Sequence, residues 1–137
     1  MYLTSSTLVP YLVDRSVLTP AEIVGDDFTI LDAGRRNRNF KISRRDGSGI
    51  FVKQVPVMAV ETTQSLQREA TLYALADKDV SADRLKPLMP RLRHYDRSRH
   101  LLAVDLVPNS QSLTFYQMQV AAVPGAMEDI AAQIGTL

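Results

Sequence analysis

Cysteine does not occur in this chain of 137 residues. Its absence excludes disulfides, thiolate catalysis and cysteine-ligated metal, and it fits a reducing compartment such as the cytoplasm. Histidine is scarce: His94 and His100 are too few for a His-rich metal site. Long apolar runs are missing, and none approaches the ~18 residues that a membrane helix needs. Met1 to Arg15 lacks a basic stretch followed by an apolar one, so no secretory signal is read and a cytoplasmic location is expected. Internal repeats and low-complexity segments are missing as well. The net charge of +1 predicts no strong attraction of the whole chain to a polyanion.

What is present is ordinary in bulk: 45% apolar and 23% charged residues, in a length that fits one domain with one core. The charge is uneven, however. Arg35, Arg36, Arg38, Lys41, Arg44 and Arg45 fall within eleven residues. Such a cluster can bind phosphate, nucleic acid or an acidic partner, or simply face water. Only Phe40 is available there to stack a base, which argues against nucleic acid.

Apolar periodicity predicts the elements. Ser5-Ser6-Thr7 offers a cap for a short amphipathic helix bearing Leu8, Tyr11 and Leu12. Thr19-Pro20 and Gly25-Asp26-Asp27 read as loop. Phe28 to Leu31, Phe40 to Arg44 and Ile50 to Val55 read as three strands of an antiparallel meander, with a tight turn at Asp46-Gly47-Ser48-Gly49. Pro56 stops the third strand. A helix from Thr62 or Thr63 to about Ala76 follows, with an apolar stripe of Leu66, Ala70 and Tyr73 widened by Leu72 and Leu75. Leu92 to Asp96 and His100 to Val107 form a second hairpin. Pro108-Asn109-Ser110 is a linker, Leu113 to Val120 a helix, and Ala126 to Leu137 the start of another, which ends without a cap as if the chain continued. The expected fold class is α+β: one five-stranded antiparallel sheet with one inserted helix, flanked by N- and C-terminal helices. The expected organisation is one domain, divided as 1–27, 28–107 and 108–137.

One constellation carries chemistry. Glu69 lies three residues after Leu66 and four before Tyr73, on the stripe that packs against the sheet. A carboxylate there is costly unless it meets a cation. Lys53, in the middle of the third strand, has the same problem in reverse, and one ion pair solves both. The alternative is that Lys53 faces solvent on a half-exposed sheet. The turn from Leu31 to Phe40 contains Gly34, Asn37 and Asn39, whose small or turn-tolerant character lets a backbone approach phosphates. It holds one glycine only, and an ordinary hairpin turn reads the same way. Leu101 to Pro108 is an apolar strand running into a linker. His94-Tyr95-Asp96 spells H-x-D but lies before that strand, and reads as a strand end entering a turn.

Taken in order, these residues resemble the amino-terminal lobe of aminoglycoside phosphotransferase and choline-kinase-like small-molecule kinases, which share the protein-kinase-like fold. The matching stretches are Phe28 to Asn37 with Phe40, Ile50-Phe51-Val52-Lys53-Gln54, Gln67-Arg68-Glu69-Ala70 with Tyr73 and Leu75, Met89-Pro90-Arg91-Leu92 with Tyr95-Asp96, Leu101 to Pro108 and Ile130 to Leu137. No single motif is specific; their order and spacing are. The resemblance implies that Lys53 meets the α- and β-phosphates of ATP or GTP and that Glu69 orients it. It implies that the turn from Gly34 to Asn37 and Asn39 covers the phosphates. It implies that the backbone of Asp105 and Val107 holds the base, with Val104 beside it. The family's catalytic aspartate and its Mg²⁺ ligand lie in a carboxy-terminal lobe and have no counterpart in these residues. The expected function is therefore the nucleotide-binding lobe of a phosphotransferase acting on a small-molecule hydroxyl, inactive alone. Its partners are then a nucleotide and an unidentified acceptor, without a membrane. The alternative is a non-catalytic interaction or regulatory module that reuses the fold and self-associates through exposed apolar surface.

Overall fold

The structure is a computed structural model that describes residues 2–25, 28–34, 37–55, 60–78, 84–108, 110, 113–120, 125, 128–129 and 132. Helix α1 spans Ser5–Asp14 and α2 spans Pro20–Gly25. Strands β1 (Phe28–Asp32), β2 (Arg38–Arg44) and β3 (Gly49–Gln54) follow, then helix α3 (Val60–Lys78). A 3₁₀ turn at Lys86–Leu88 leads to β4 (Leu92–Asp96), β5 (Leu101–Asp105) and α4 (Leu113–Val120). The class is α+β, with all five strands in one antiparallel sheet of order β1-β2-β3-β5-β4. Among the described residues no helix is long and apolar enough to cross a membrane. The expected stop at Pro56 and most of the expected helix from Ala126 lie outside the described residues.

Local chemistry shifts several expected boundaries. The cap of α1 is Thr4 rather than a residue of Ser5-Ser6-Thr7. The Thr7 amide donates to Thr4 Oγ1, and the Thr4 amide donates to Thr7 Oγ1 at 2.9 Å, a reciprocal capping box. Thr19-Pro20 starts a helix instead of a loop. Proline suits the first helical position, where its missing N–H costs nothing, and Thr19 and Glu22 cap each other. The N–H and then the hydroxyl of Thr19 hold the Glu22 carboxyl below its ordinary range. Helix α3 begins before Thr62, so neither Thr62 nor Thr63 caps it.

The sheet is buried on both faces at its centre. On one face Phe40 stands opposite Val52 and Ile42 opposite Ile50. Leu8, Tyr11 and Leu12 of α1, with Leu3 and Leu18, close over them. On the other face Val55, Leu102 and Val104 pack against Leu66 and Ala70 of α3. Two-sided burial explains why β3 and β5 read as nearly continuous apolar runs. The order in which the strands pair also sets a close approach at Gly49. A Cβ there would stand 1.9 Å from the carbonyl oxygen of Ile42, so no side chain fits.

Two buried polar side chains fasten α1 and its leading residues to the sheet. Gln54 is only 2% exposed. Its Oε1 accepts from the Leu3 amide at 2.9 Å, and its Nε2 donates to the Arg99 carbonyl at 3.2 Å. Gln54→Leu leaves both backbone groups unpaired, and a loss of about 2 kcal/mol is expected in urea unfolding. The second side chain is Asp96, at the end of β4 as the strand-end reading expects. It accepts from the Tyr11 hydroxyl at 2.9 Å, the Ser98 hydroxyl at 2.6 Å and the Arg99 amide at 3.0 Å. Burial alone would raise the Asp96 carboxyl. The three donors, with the Arg15 guanidinium nearby, outweigh it and hold the group down at about 2. Burial and the same carboxylate push the Tyr11 hydroxyl up to about 12.

Candidate functional site

Strand alternation decides which residues share the α3 face. Register places Asn39, Lys53, Leu102 and Tyr95 in one row across the sheet, and Leu31, Lys41, Phe51, Val104 and Leu92 in the next. Lys53 therefore points to the helix side, between Asn39 and Leu102. Helix α3 presents Glu69 to the same space because Leu66 and Ala70 lie on the stripe that packs on the sheet. Lys53 Nζ donates to Glu69 Oε2 at 2.7 Å. The lysine is 26% and the glutamate 30% exposed, so each needs a partner yet both are reachable from solvent. The alternative of an unpaired, solvent-facing lysine does not hold. The Tyr73 hydroxyl, one turn on, donates to Glu69 Oε1 at 3.3 Å. Burial first, and then the Glu69 charge, raises the Tyr73 hydroxyl above its ordinary range.

This pair lines a cavity of about 280 Å³. Phe51, Leu102 and Val104 of the sheet supply an apolar wall, and the segment after β5, through Val107, closes one side. Backbone polarity is graded along that segment. The Asp105 amide donates to the Arg91 carbonyl and the Leu106 amide to the Gly49 carbonyl, both at 2.9 Å. The next amide, that of Val107, donates to no described residue. The Asp105 carboxylate accepts from Arg93, so this residue meets the cavity with its charge already matched. Lys53, Glu69, Val104, Asp105 and Val107 thus line one space.

Gly34 and Asn37 do not line it. The Gly34 amide donates to Asp32 Oδ1 at 2.9 Å, which closes a local turn, and the turn itself has little room for a Cβ. Arg35 and Arg36 lie outside the described residues. Asn37 and Asn39 keep ordinary backbone angles; among the described non-glycine residues only Ser16 and His100 have positive φ. The basic stretch does not form one patch. The Arg38 guanidinium donates to the Leu3 carbonyl at 3.0 Å and lies over the Tyr2 ring, and Arg44 donates to Glu22 at 2.6 Å. Both belong to the α1 face, whereas Lys41 stands on the cavity face opposite Phe51.

The widened stripe of α3 is also corrected. Leu72 and Leu75 are exposed, and with Gln64, Gln67, Arg68 and Thr71 they line a groove of about 470 Å³ on the outer side of the helix. The helix is rotated so that Leu66, Ala70 and Ala76 are buried and Glu69 reaches Lys53, which turns Leu72 and Leu75 away. Among the described residues no cluster of three or more acidic or histidine side chains could hold a metal ion. Glu69 is engaged by the Lys53 ammonium and the Tyr73 hydroxyl. Asn39, expected in the phosphate-covering turn, lies within β2 instead, and Tyr73, expected only on the apolar stripe, joins the site. The spacing of Tyr73 four residues after Glu69 on one helix was the available signal. Comparison of the chain with models of protein families, with curated proteins and with solved structures finds no match.

Proposed function

We propose that this chain is a nucleotide-binding lobe of the kind that serves small-molecule phosphotransferases, with ATP or GTP as its ligand. The observation that carries the reading is the 2.7 Å contact between Lys53 and Glu69 in a cavity that the apolar side chains of Phe51, Leu102 and Val104 also line. An ammonium has three N–H donors. One is spent on Glu69, which leaves donors over to meet a phosphate oxygen. Glu69 fixes the amine on its flexible stem, so that less side-chain freedom is lost when phosphate arrives. The apolar wall of Phe51, Leu102 and Val104 suits the faces of a purine, and the Val107 amide supplies a donor at its edge. The phosphate acceptor is the hydroxyl of an unidentified small molecule bound elsewhere.

Calorimetric titration with ATP and with GTP, each with Mg²⁺, tests this. Saturable binding is expected, with a dissociation constant on the order of 0.1–1 mM for a site this open. Absence of saturable binding for both nucleotides overturns the reading. The outer groove of α3, with Leu72 and Leu75 exposed, favours one other reading, a protein-interaction module. That reading stands instead if neither nucleotide binds and light scattering shows a stable dimer.

A further inference from the structure

One polar atom on the cavity face has no partner. Asn39 Oδ1 is shut off from solvent and makes no hydrogen bond among the described residues. Buried oxygens are rarely left this way, because losing water without gaining a donor costs about 1–3 kcal/mol. The orphan is not in a random place. Register sets Asn39 on β2 directly opposite Lys53 on β3, with both side chains on the face that α3 covers. Phosphate oxygens cannot satisfy Asn39 Oδ1, since they are acceptors themselves. The donor-bearing residue that register sets opposite it is Lys53, whose ammonium has two N–H groups beyond the one given to Glu69.

Resting on the nucleotide reading above, we propose that Asn39 is a positioning residue for Lys53 in the ligand-bound state. A phosphate draws the ammonium toward the β2 side of the face. There its three donors meet three acceptors: Glu69 Oε2, Asn39 Oδ1 and a phosphate oxygen. The 2.7 Å contact with Glu69 holds the amine out of hydrogen-bond reach of Asn39, and the orphaned carbonyl is the cost of holding that acceptor ready. Asn39 acts through Lys53, not by touching the nucleotide.

Asn39→Leu, measured in the whole chain, separates this from a structural role. A leucine replaces the orphan with an apolar group of similar size, so the melting temperature without ligand is expected to stay level or rise. Affinity for ATP with Mg²⁺ is expected to fall about five-fold, a coupling of about 1 kcal/mol. In a Lys53→Met background the same substitution is expected to change affinity by less than two-fold. On adding ATP with Mg²⁺, the side-chain amide resonance of Asn39 is expected to move in the native chain and to stay in place in Lys53→Met. A fall of several degrees in melting temperature overturns the inference, because Asn39 then supports the fold. Unchanged affinity in the native background overturns it, as does an equal loss in both backgrounds, which means direct contact with the nucleotide. Failure of the native chain to bind either nucleotide is a separate result that sinks the function from which the inference starts.

Discussion

Lys53→Met is expected to weaken binding of ATP with Mg²⁺ at least ten-fold, about 1.4 kcal/mol or more, while leaving the fold intact. The methionine keeps the apolar stem and packs against the same neighbours, but it brings no charge to the phosphates. Its effect on stability is expected to be small. Glu69 is 30% exposed and keeps the Tyr73 hydroxyl, so it turns toward water rather than remaining a stranded buried charge. Glu69→Gln is expected to have a milder effect of the same sign, since the amide still accepts from Lys53 but holds it without charge. Calorimetry with far-ultraviolet circular dichroism on each variant checks both. Binding by Lys53→Met at the native affinity would remove the site from this face of the sheet.

The second large effect concerns stability, and it lies on the opposite face. Asp96→Ala is expected to cost about 3 kcal/mol in urea unfolding. It leaves the Tyr11 hydroxyl, the Ser98 hydroxyl and the Arg99 amide without their acceptor, and removes a buried anion that faces both Arg15 and Arg99. The pH dependence follows from the depressed carboxyl. The folded chain holds Asp96 at about 2 against an ordinary value of 3.8. The unfolded chain therefore takes up the proton first as pH falls. The stabilisation is full above about pH 5 and is lost between there and about pH 2, amounting to about 2 kcal/mol. His94 adds to the acid loss earlier. Burial lowers it below its ordinary 6.5, so protonation favours the unfolded chain once pH drops through that value. In Asp96→Asn the loss below pH 5 is expected to shrink while the His94 part persists. Unfolding midpoints at pH 7, 5 and 2.5 separate the two, and a fully stable Asp96→Ala would refute the assignment.

The elements that could be read from one dimension are those whose signal is local. Alternation in Phe40-Lys41-Ile42 and the glycines of the 46–49 turn lead to a hairpin, and its register follows from the turn. The placement of Glu69 on the α3 stripe and of Lys53 within an apolar strand was legible because each residue contradicts its surroundings, and the contradiction has one simple resolution. The extent of the stripe was not legible. Leu72 and Leu75 satisfy helical spacing as well as Tyr73 does, and only the rotation of α3 on the sheet decides between them. Thr19-Pro20 illustrates the same limit: the pair opens a helix as readily as a loop, and the reciprocal bond with Glu22 decides.

By itself the sequence determined the fold class, the strand segments and the pairing of an acid with an amine across helix and strand. Hydrophobic period and the cost of an isolated buried charge act over short spans of chain and leave traces in composition. Only the tertiary structure decided that β5 pairs with β3 and leaves β4 at the edge, that Asp96 receives the Tyr11 hydroxyl from 85 positions away, and that Asn39 faces Lys53 with an oxygen unspent. Those facts depend on which chain segments meet in space. The energy of such meetings is shared between residues that carry no mark of one another in the linear order.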